Sequence, residues 1–159
     1  MNNVKRHLIN DIQEYGHSTI VDNKETKELV GFQFSVNNDE EIFLTDEDRS
    51  YIEKKIQEVR KDIDRCKVLL HKDRNSRQAI IPFLQDIKIP NCFVSINLLI
   101  RDDEVYCFCY SRSLDVKNKL ECDIDICRRI CSEICEEFDA NLKLLKFIVG
   151  SLHYYAKDN

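Results

Sequence analysis

Cys92-Phe93-Val94-Ser95-Ile96-Asn97-Leu98-Leu99-Ile100 and Val105-Tyr106-Cys107-Phe108-Cys109-Tyr110 are two apolar runs separated by the polar segment Arg101-Asp102-Asp103-Glu104. Short apolar runs rich in β-branched and aromatic residues, joined by a turn of acidic residues, read as an antiparallel hairpin. The second run leads into Ser111-Arg112-Ser113-Leu114-Asp115. A hairpin brings its two outer ends together, so Arg112 is expected beside Cys92. An arginine next to a thiol lowers its pKa and raises its reactive thiolate fraction. Taken alone, a cysteine entering a strand reads first as a small buried apolar residue, and it is the expected arginine beside it that changes this reading.

Outward from this hairpin, the chain alternates strands and helices. Val4, Leu8, Ile9 and Ile12 recur at helical spacing between Val4 and Tyr15, with Gly16 as the stop. Ile20, Val21 and the run Glu28 to Val36 read as strands, and Asn37-Asn38-Asp39 as a turn. Thr45-Asp46-Glu47-Asp48 opens a charged helix expected to continue to about Leu70, with Ile52, Ile56, Val59, Ile63 and Cys66 on its inner face. Downstream, Ile124, Cys127, Ile130, Cys131, Ile134, Cys135 and Phe138 mark one face of a helix from about Asp123 to Phe138, and Asn141 to Val149 reads as a strand. The expectation is one domain, residues 1–159, of α/β or α+β class, with a mixed sheet flanked by helices.

Composition narrows the function classes. With 159 residues, 43% of them hydrophobic, the chain can bury one sizeable core. A net charge of −5 and a pI near 5.4 argue against a nucleic-acid polymer as partner, because backbone binding needs a basic face. No segment reaches the roughly 20 apolar residues of a membrane span, and the first residues lack the apolar core of a secretion signal, so the expected location is the cytoplasm. The eight cysteines then read as thiols. Cys127, Cys131 and Cys135 fall on one apolar helix face, and Cys107 and Cys109 share a strand face with no matching ligand pair in view, so core packing is expected and no metal.

The spacing from Cys92 to Asp115 resembles that of the thymidylate synthase superfamily, which includes the deoxycytidylate and cytidylate hydroxymethylases. There a nucleophilic cysteine shortly after a proline is followed, at this same interval, by Arg-Ser-x-Asp; here the residues are Pro90, Cys92, Arg112, Ser113 and Asp115. The likeness continues with Asp123 at the base-reading position and with His153-Tyr154-Tyr155 in place of the family's His-x-Tyr. Upstream, Asn75 to Ile81 is similar to the segment whose arginine, here Arg77, crosses a dimer interface to the partner's phosphate, and Thr26 to Phe32 is similar to the first strand.

This resemblance implies a thymidylate synthase-like layered fold, a homodimer with Arg77 acting across the interface, and a pyrimidine nucleoside monophosphate as substrate. It places Arg112 and Ser113 on the phosphate, Asp115 beside the base, and His153 and Tyr155 on the sugar hydroxyl. The implied one-carbon donor is 5,10-methylenetetrahydrofolate. A pyrimidine C5 is a poor nucleophile until a thiolate adds at C6, and Cys92 is the residue for that addition. A carboxylate is needed for proton transfer, and Glu58, at roughly the family's spacing after Tyr51, is the candidate; it also reads as a surface glutamate. Asparagine at the base-reading position suits uracil and aspartate suits cytosine, so Asp123 favours cytidine nucleotides; Asp123 also reads as a helix-start residue.

Several positions depart from the family pattern. Asp22 or Asn23 falls where a phosphate-binding arginine is expected, Lys119 and Glu121-Cys122 replace a glycine and a Pro-aromatic pair, Ser111 replaces a glutamine, and Phe93 replaces a histidine. The regions that enclose folate in the family are also short here. These features open a second expectation, a catalytically reduced nucleotide-binding or interaction protein that keeps the fold and the dimer.

Overall fold

The computed structural model describes residues 2–83 and 91–156, and among these lie four helices and six strands. Helix α1 (Asn3–Tyr15) begins where the Asn2 side chain accepts the Lys5 N–H at 2.7 Å, and it buries Leu8 and Ile12. Strands β1 (His17–Val21) and β2 (Lys24–Val36) form a hairpin around Asp22 and Asn23, whose φ angles are 51° and 62°. Asp and Asn tolerate this left-handed backbone, and two such residues in succession match the twist of a tight hairpin.

Helix α2 (Asp46–Glu58) is capped reciprocally: the Asp48 N–H donates to Thr45 Oγ1 and the Thr45 N–H donates to Asp48 Oδ2. The single helix expected from Thr45 to Leu70 is in fact two, because the chain breaks at buried Val59 and restarts as α3 (Arg60–Lys72). Val59 has ψ 9°, outside helical values. No glycine or proline marks the break, and the spacing Ile52, Ile56, Val59, Ile63, Cys66 stays on the buried side across it, so periodicity does not reveal it.

Strand β3 (Ile80–Pro82) precedes β4 (Phe93–Arg101) and β5 (Glu104–Asp115), followed by α4 (Leu120–Phe138) and β6 (Asn141–Tyr155). The predicted hairpin is β4–β5, turning at Asp102 and Asp103 with φ 48° and 61°. The sheet order is β1-β2-β6-β5-β4-β3; β5 and β6 are parallel, joined through α4, and the other neighbours are antiparallel. The fold is therefore α+β, with a mixed sheet flanked by helices, as the residue pattern led one to expect. Pro90 lies outside the described residues.

Strands β5 and β6 extend beyond their apolar runs, to Asp115 and Tyr155. Their polar ends stay in the ladder, with Ser113 opposite Ser151 and Asp115 opposite His153. On one face of the sheet, Ile96, Leu98, Val105, Cys107, Cys109, Leu145, Phe147 and Val149 are buried together with Ile124, Cys127, Ile130, Cys131 and Ile134 of α4. The opposite face carries Leu99, Tyr106, Phe108, Leu144 and Ile148, half-buried, and Tyr110, exposed. At the end of that run the strands crowd. Gly150 approaches the Arg112 backbone so closely that a Cβ there would stand 2.6 Å from the Arg112 carbonyl oxygen, and Gly31, across from Gly150, has φ 68°. Only glycine satisfies both demands without strain. Beyond this row the polar residues of β2, β5 and β6 turn into a pocket.

Candidate active site

The pocket encloses about 680 Å³, within the range of small-molecule sites. It opens between the end of β4–β5, the polar ends of β2 and β6, and the helices α2 and α4. Cys92, Arg112, Ser113, Asp115, Asp123, His153 and Tyr155, drawn from four separate stretches of sequence, all line it.

Cys92 is exposed, and Arg112 Nη2 lies 3.6 Å from its sulfur. The arginine is held there from two sides. Its backbone N–H donates to the Cys92 carbonyl at 2.9 Å, and its Nε donates to the Asn91 carbonyl at 3.2 Å. The juxtaposition expected from hairpin geometry is thus present, and it places a guanidinium against a solvent-accessible thiol.

Asp115 has a different task. Its carboxylate accepts from the Lys117 and Asn118 N–H groups at 3.1 and 3.2 Å and from Asn118 Nδ2 at 2.9 Å, which closes the turn from β5 into α4. That turn delivers Asp123 in the first turn of α4, 5% exposed and facing the pocket. Burial pushes the Asp123 carboxyl up to about 7, against the pull of the Lys119 and Lys55 ammonium groups. Near neutral pH it exchanges a proton readily, the property required of a general acid or base. His153 is buried in the ladder opposite Asp115; its Nδ1 lies 3.3 Å from the Ser151 carbonyl, and its ring packs edge-on against Tyr155 at 5.4 Å. Lys24 sits over the Tyr155 ring at 4.6 Å.

Two expected site residues do not line this pocket. Glu58 lies almost a helical turn past Lys55 and reaches back to it, 3.0 Å from the ammonium, so α2 presents Tyr51 and Lys55 to the pocket and not Glu58. Arg77 is exposed in the segment between α3 and β3, away from its own chain's pocket. Asp22, one of the two residues that fall where the resemblance expects an arginine, does line the pocket at the tip of the β1–β2 hairpin.

Sequence reading did not assign Tyr51, Lys55, Asn91 or Lys119 to the site, and all four line the pocket. Lys119 Nζ stands 4.5 Å from the Tyr51 ring centre and Lys55 Nζ 5.7 Å from it; burial, then the nearby Asp123 carboxylate, pushes the Tyr51 hydroxyl up to about 12. Lys55 Nζ also donates to Asn91 Oδ1 at 3.5 Å. The signal available was spacing: Tyr51 and Lys55 each precede by one residue a member of the buried stripe Ile52 and Ile56, so they share its flank.

The cysteines of α4 and β5 require one correction. A matching pair does stand near Cys107 and Cys109, because α4 brings Cys127 and Cys131 against them, all four fully buried. Among the described residues no group of three or more His, Cys, Asp or Glu is arranged to hold a metal ion, and no helix is long and apolar enough to cross a membrane. No protein-family model matches this chain, and no curated protein was found to match it.

Proposed function

We propose that this protein is a pyrimidine-nucleotide C5 methyl- or hydroxymethyltransferase of the thymidylate synthase type, working in the cytoplasm on a nucleoside monophosphate, with cytidine favoured over uridine. The observation that carries this reading is the Cys92 sulfur 3.6 Å from Arg112 at a pocket of about 680 Å³ that also gathers Ser113, Asp123, His153 and Tyr155. In this reading the Cys92 thiolate adds to C6 of the ring, and its electron pair makes C5 enolate-like and nucleophilic. Arg112 and Ser113 bind the phosphate and fix the ring over the sulfur, which supplies orientation at little further entropic cost. Asp123 accepts from the cytosine amino group and, with a carboxyl near 7, is placed to carry a proton. The C5 hydrogen finally leaves as a proton, and the thiolate is expelled to regenerate Cys92.

The donor, 5,10-methylenetetrahydrofolate, supplies the one-carbon unit when bound. Tyr51, Phe83, Phe93 and Ile126 give the pocket an apolar and aromatic wall that fits a flat ring beside the nucleotide. A second copy of the chain is proposed to pack on the open sheet face of Leu99, Tyr106, Phe108, Tyr110, Leu144 and Ile148, bringing exposed Arg77 toward the partner's phosphate site.

The test is release of tritium from C5-labelled cytidine and uridine monophosphates, in ribose and deoxyribose forms. Release that disappears in Cys92→Ala supports the transferase. A second reading, a nucleotide-binding protein without turnover, is favoured by Glu58 lying off the pocket and Asp22 lying on it. Calorimetric binding of the monophosphates without tritium release would select that reading, and absence of both removes the two together.

A further inference from the structure

Directly behind the pocket wall lies chemistry that nucleotide turnover does not use. Cys107 and Cys109 leave β5 on its buried face, and Cys127 and Cys131 leave α4 one turn apart toward them. The Cys109 sulfur stands 3.2 Å from that of Cys127 and 3.7 Å from that of Cys107. A disulfide bond measures about 2.0 Å, so Cys109 and Cys127 would have to close by roughly 1 Å to bond. The Cys107–Cys109 alternative is disfavoured, because residues two apart on one strand lie about 6.6 Å apart, at the far limit of the Cα separation that a disulfide accepts.

The two sulfurs also differ in their hold on the proton. Burial opposes ionisation of Cys127, but hydrogen bonds from Cys107 and Cys109 outweigh it and hold that thiol below its ordinary value. Cys109 is pushed well above its own, first by burial and then by its sulfur neighbours. Of the two, Cys127 gives up its proton more readily than Cys109, which makes Cys127 the sulfur that attacks first.

We propose that Cys109 and Cys127 are an oxidative modification site, which takes a small hydroperoxide and closes to an intramolecular disulfide between β5 and α4. The Cys127 sulfur attacks one peroxide oxygen and the O–O bond breaks. Hydrogen peroxide then leaves a hydroxide, which takes the Cys127 proton to become water, and a sulfenic acid on Cys127. The Cys109 sulfur displaces the sulfenic hydroxyl, which takes the Cys109 proton and departs as a second water. The two thiols lose two electrons in total, and the peroxide is reduced by two. Asp123 stands one turn before Cys127 on the same helix, so the cross-link would pin the pocket's base-facing wall to the sheet.

The experiment uses the full chain carrying Cys92→Ala, so that the exposed thiol does not consume the oxidant, and treats it with hydrogen peroxide under native conditions. Intact mass should fall by about 2 Da and return on reduction with dithiothreitol, as thiol–disulfide chemistry requires. Non-reducing peptide mapping should join the peptide holding Cys109 to the one holding Cys127. Adding Cys109→Ala should abolish the cross-link, whereas Cys131→Ala, which perturbs the same core but takes no hydrogen bond from Cys127, should leave it in place. A mass gain from added oxygen at these residues without a cross-link, a cross-link between other cysteines, or no change in mass would overturn the proposal. None of these readouts depends on nucleotide binding.

Discussion

Cys92 and Cys127 carry the same thiol in two environments that differ in nearly every respect. Cys92 stands exposed at the end of β4 with a guanidinium 3.6 Å away, whereas Cys127 is fully buried among other sulfurs on α4. The first is open to solvent and to bulky electrophiles. The second meets only its neighbours and whatever small solute penetrates the core. Residue type therefore says little about the role of a cysteine here; access and nearby charge decide it.

The largest effect that sharpens this contrast is alkylation. Iodoacetamide should label Cys92 in the native protein about 1,000-fold faster than Cys107, Cys109, Cys127 or Cys131, since the buried thiols react only through local opening worth several kcal/mol. Residue-resolved mass spectrometry gives the rates, and comparable labelling of the two sets would erase the distinction.

Next in size is the buried carboxyl between the two regions. Asp123 is raised from 3.8 to about 7, so its proton favours the folded state. That contribution is complete below pH 3.8 and is lost as pH rises through 7, where the charge must be carried in a buried place. Asp123→Asn removes the penalty: it should be more stable than the parent at pH 8, by up to ~4 kcal/mol, with the gain disappearing near pH 4. Urea denaturation at several pH values reads this directly, and a pH-independent difference would show that Asp123 is not the titrating group.

A smaller effect is expected at the crowded strand row. Gly150→Ala places a methyl 2.6 Å from the Arg112 carbonyl oxygen and should cost about 1–3 kcal/mol of stability, since backbone on both sides must give way. It should also slow alkylation of Cys92 by displacing Arg112, while leaving the core thiols as slow as before. The smallest effect separates Lys55 from Glu58. Lys55→Met should weaken binding of a pyrimidine monophosphate by about tenfold, and Glu58→Gln by about twofold, since a partly exposed ion pair contributes ~1 kcal/mol or less. A greater loss in Glu58→Gln, measured by calorimetry, would return Glu58 to the site.

Legibility in the sequence followed the range of the interaction. The β4–β5 hairpin was plain, because its apolar runs and acidic turn lie within one short stretch and its register brings Arg112 to Cys92. The polar tails of β5 and β6 were not, since Ser113, Asp115, Ser151 and His153 look like loop residues until a neighbouring strand pairs with them. The break at Val59 left the buried stripe intact and so left no trace in the spacing. Arg112, Ser113, Asp123, His153 and Tyr155, which line the pocket, were singled out by a resemblance in residue types and intervals, while Lys55 was missed in favour of Glu58 because interval alone does not tell which flank of α2 meets the pocket.

By itself, the sequence determined which segments bury their side chains, where the β4–β5 hairpin turns, and which cysteine begins a strand opposite an arginine. These are consequences of local periodicity and turn chemistry. The tertiary structure alone decided that Asp123 is buried with its carboxyl raised to about 7, that Asp115 closes a turn, that Glu58 reaches the pocket only through Lys55, and that four cysteines from β5 and α4 share one core. Each of these depends on desolvation or on contact between distant segments, and both quantities exist only once the chain is folded.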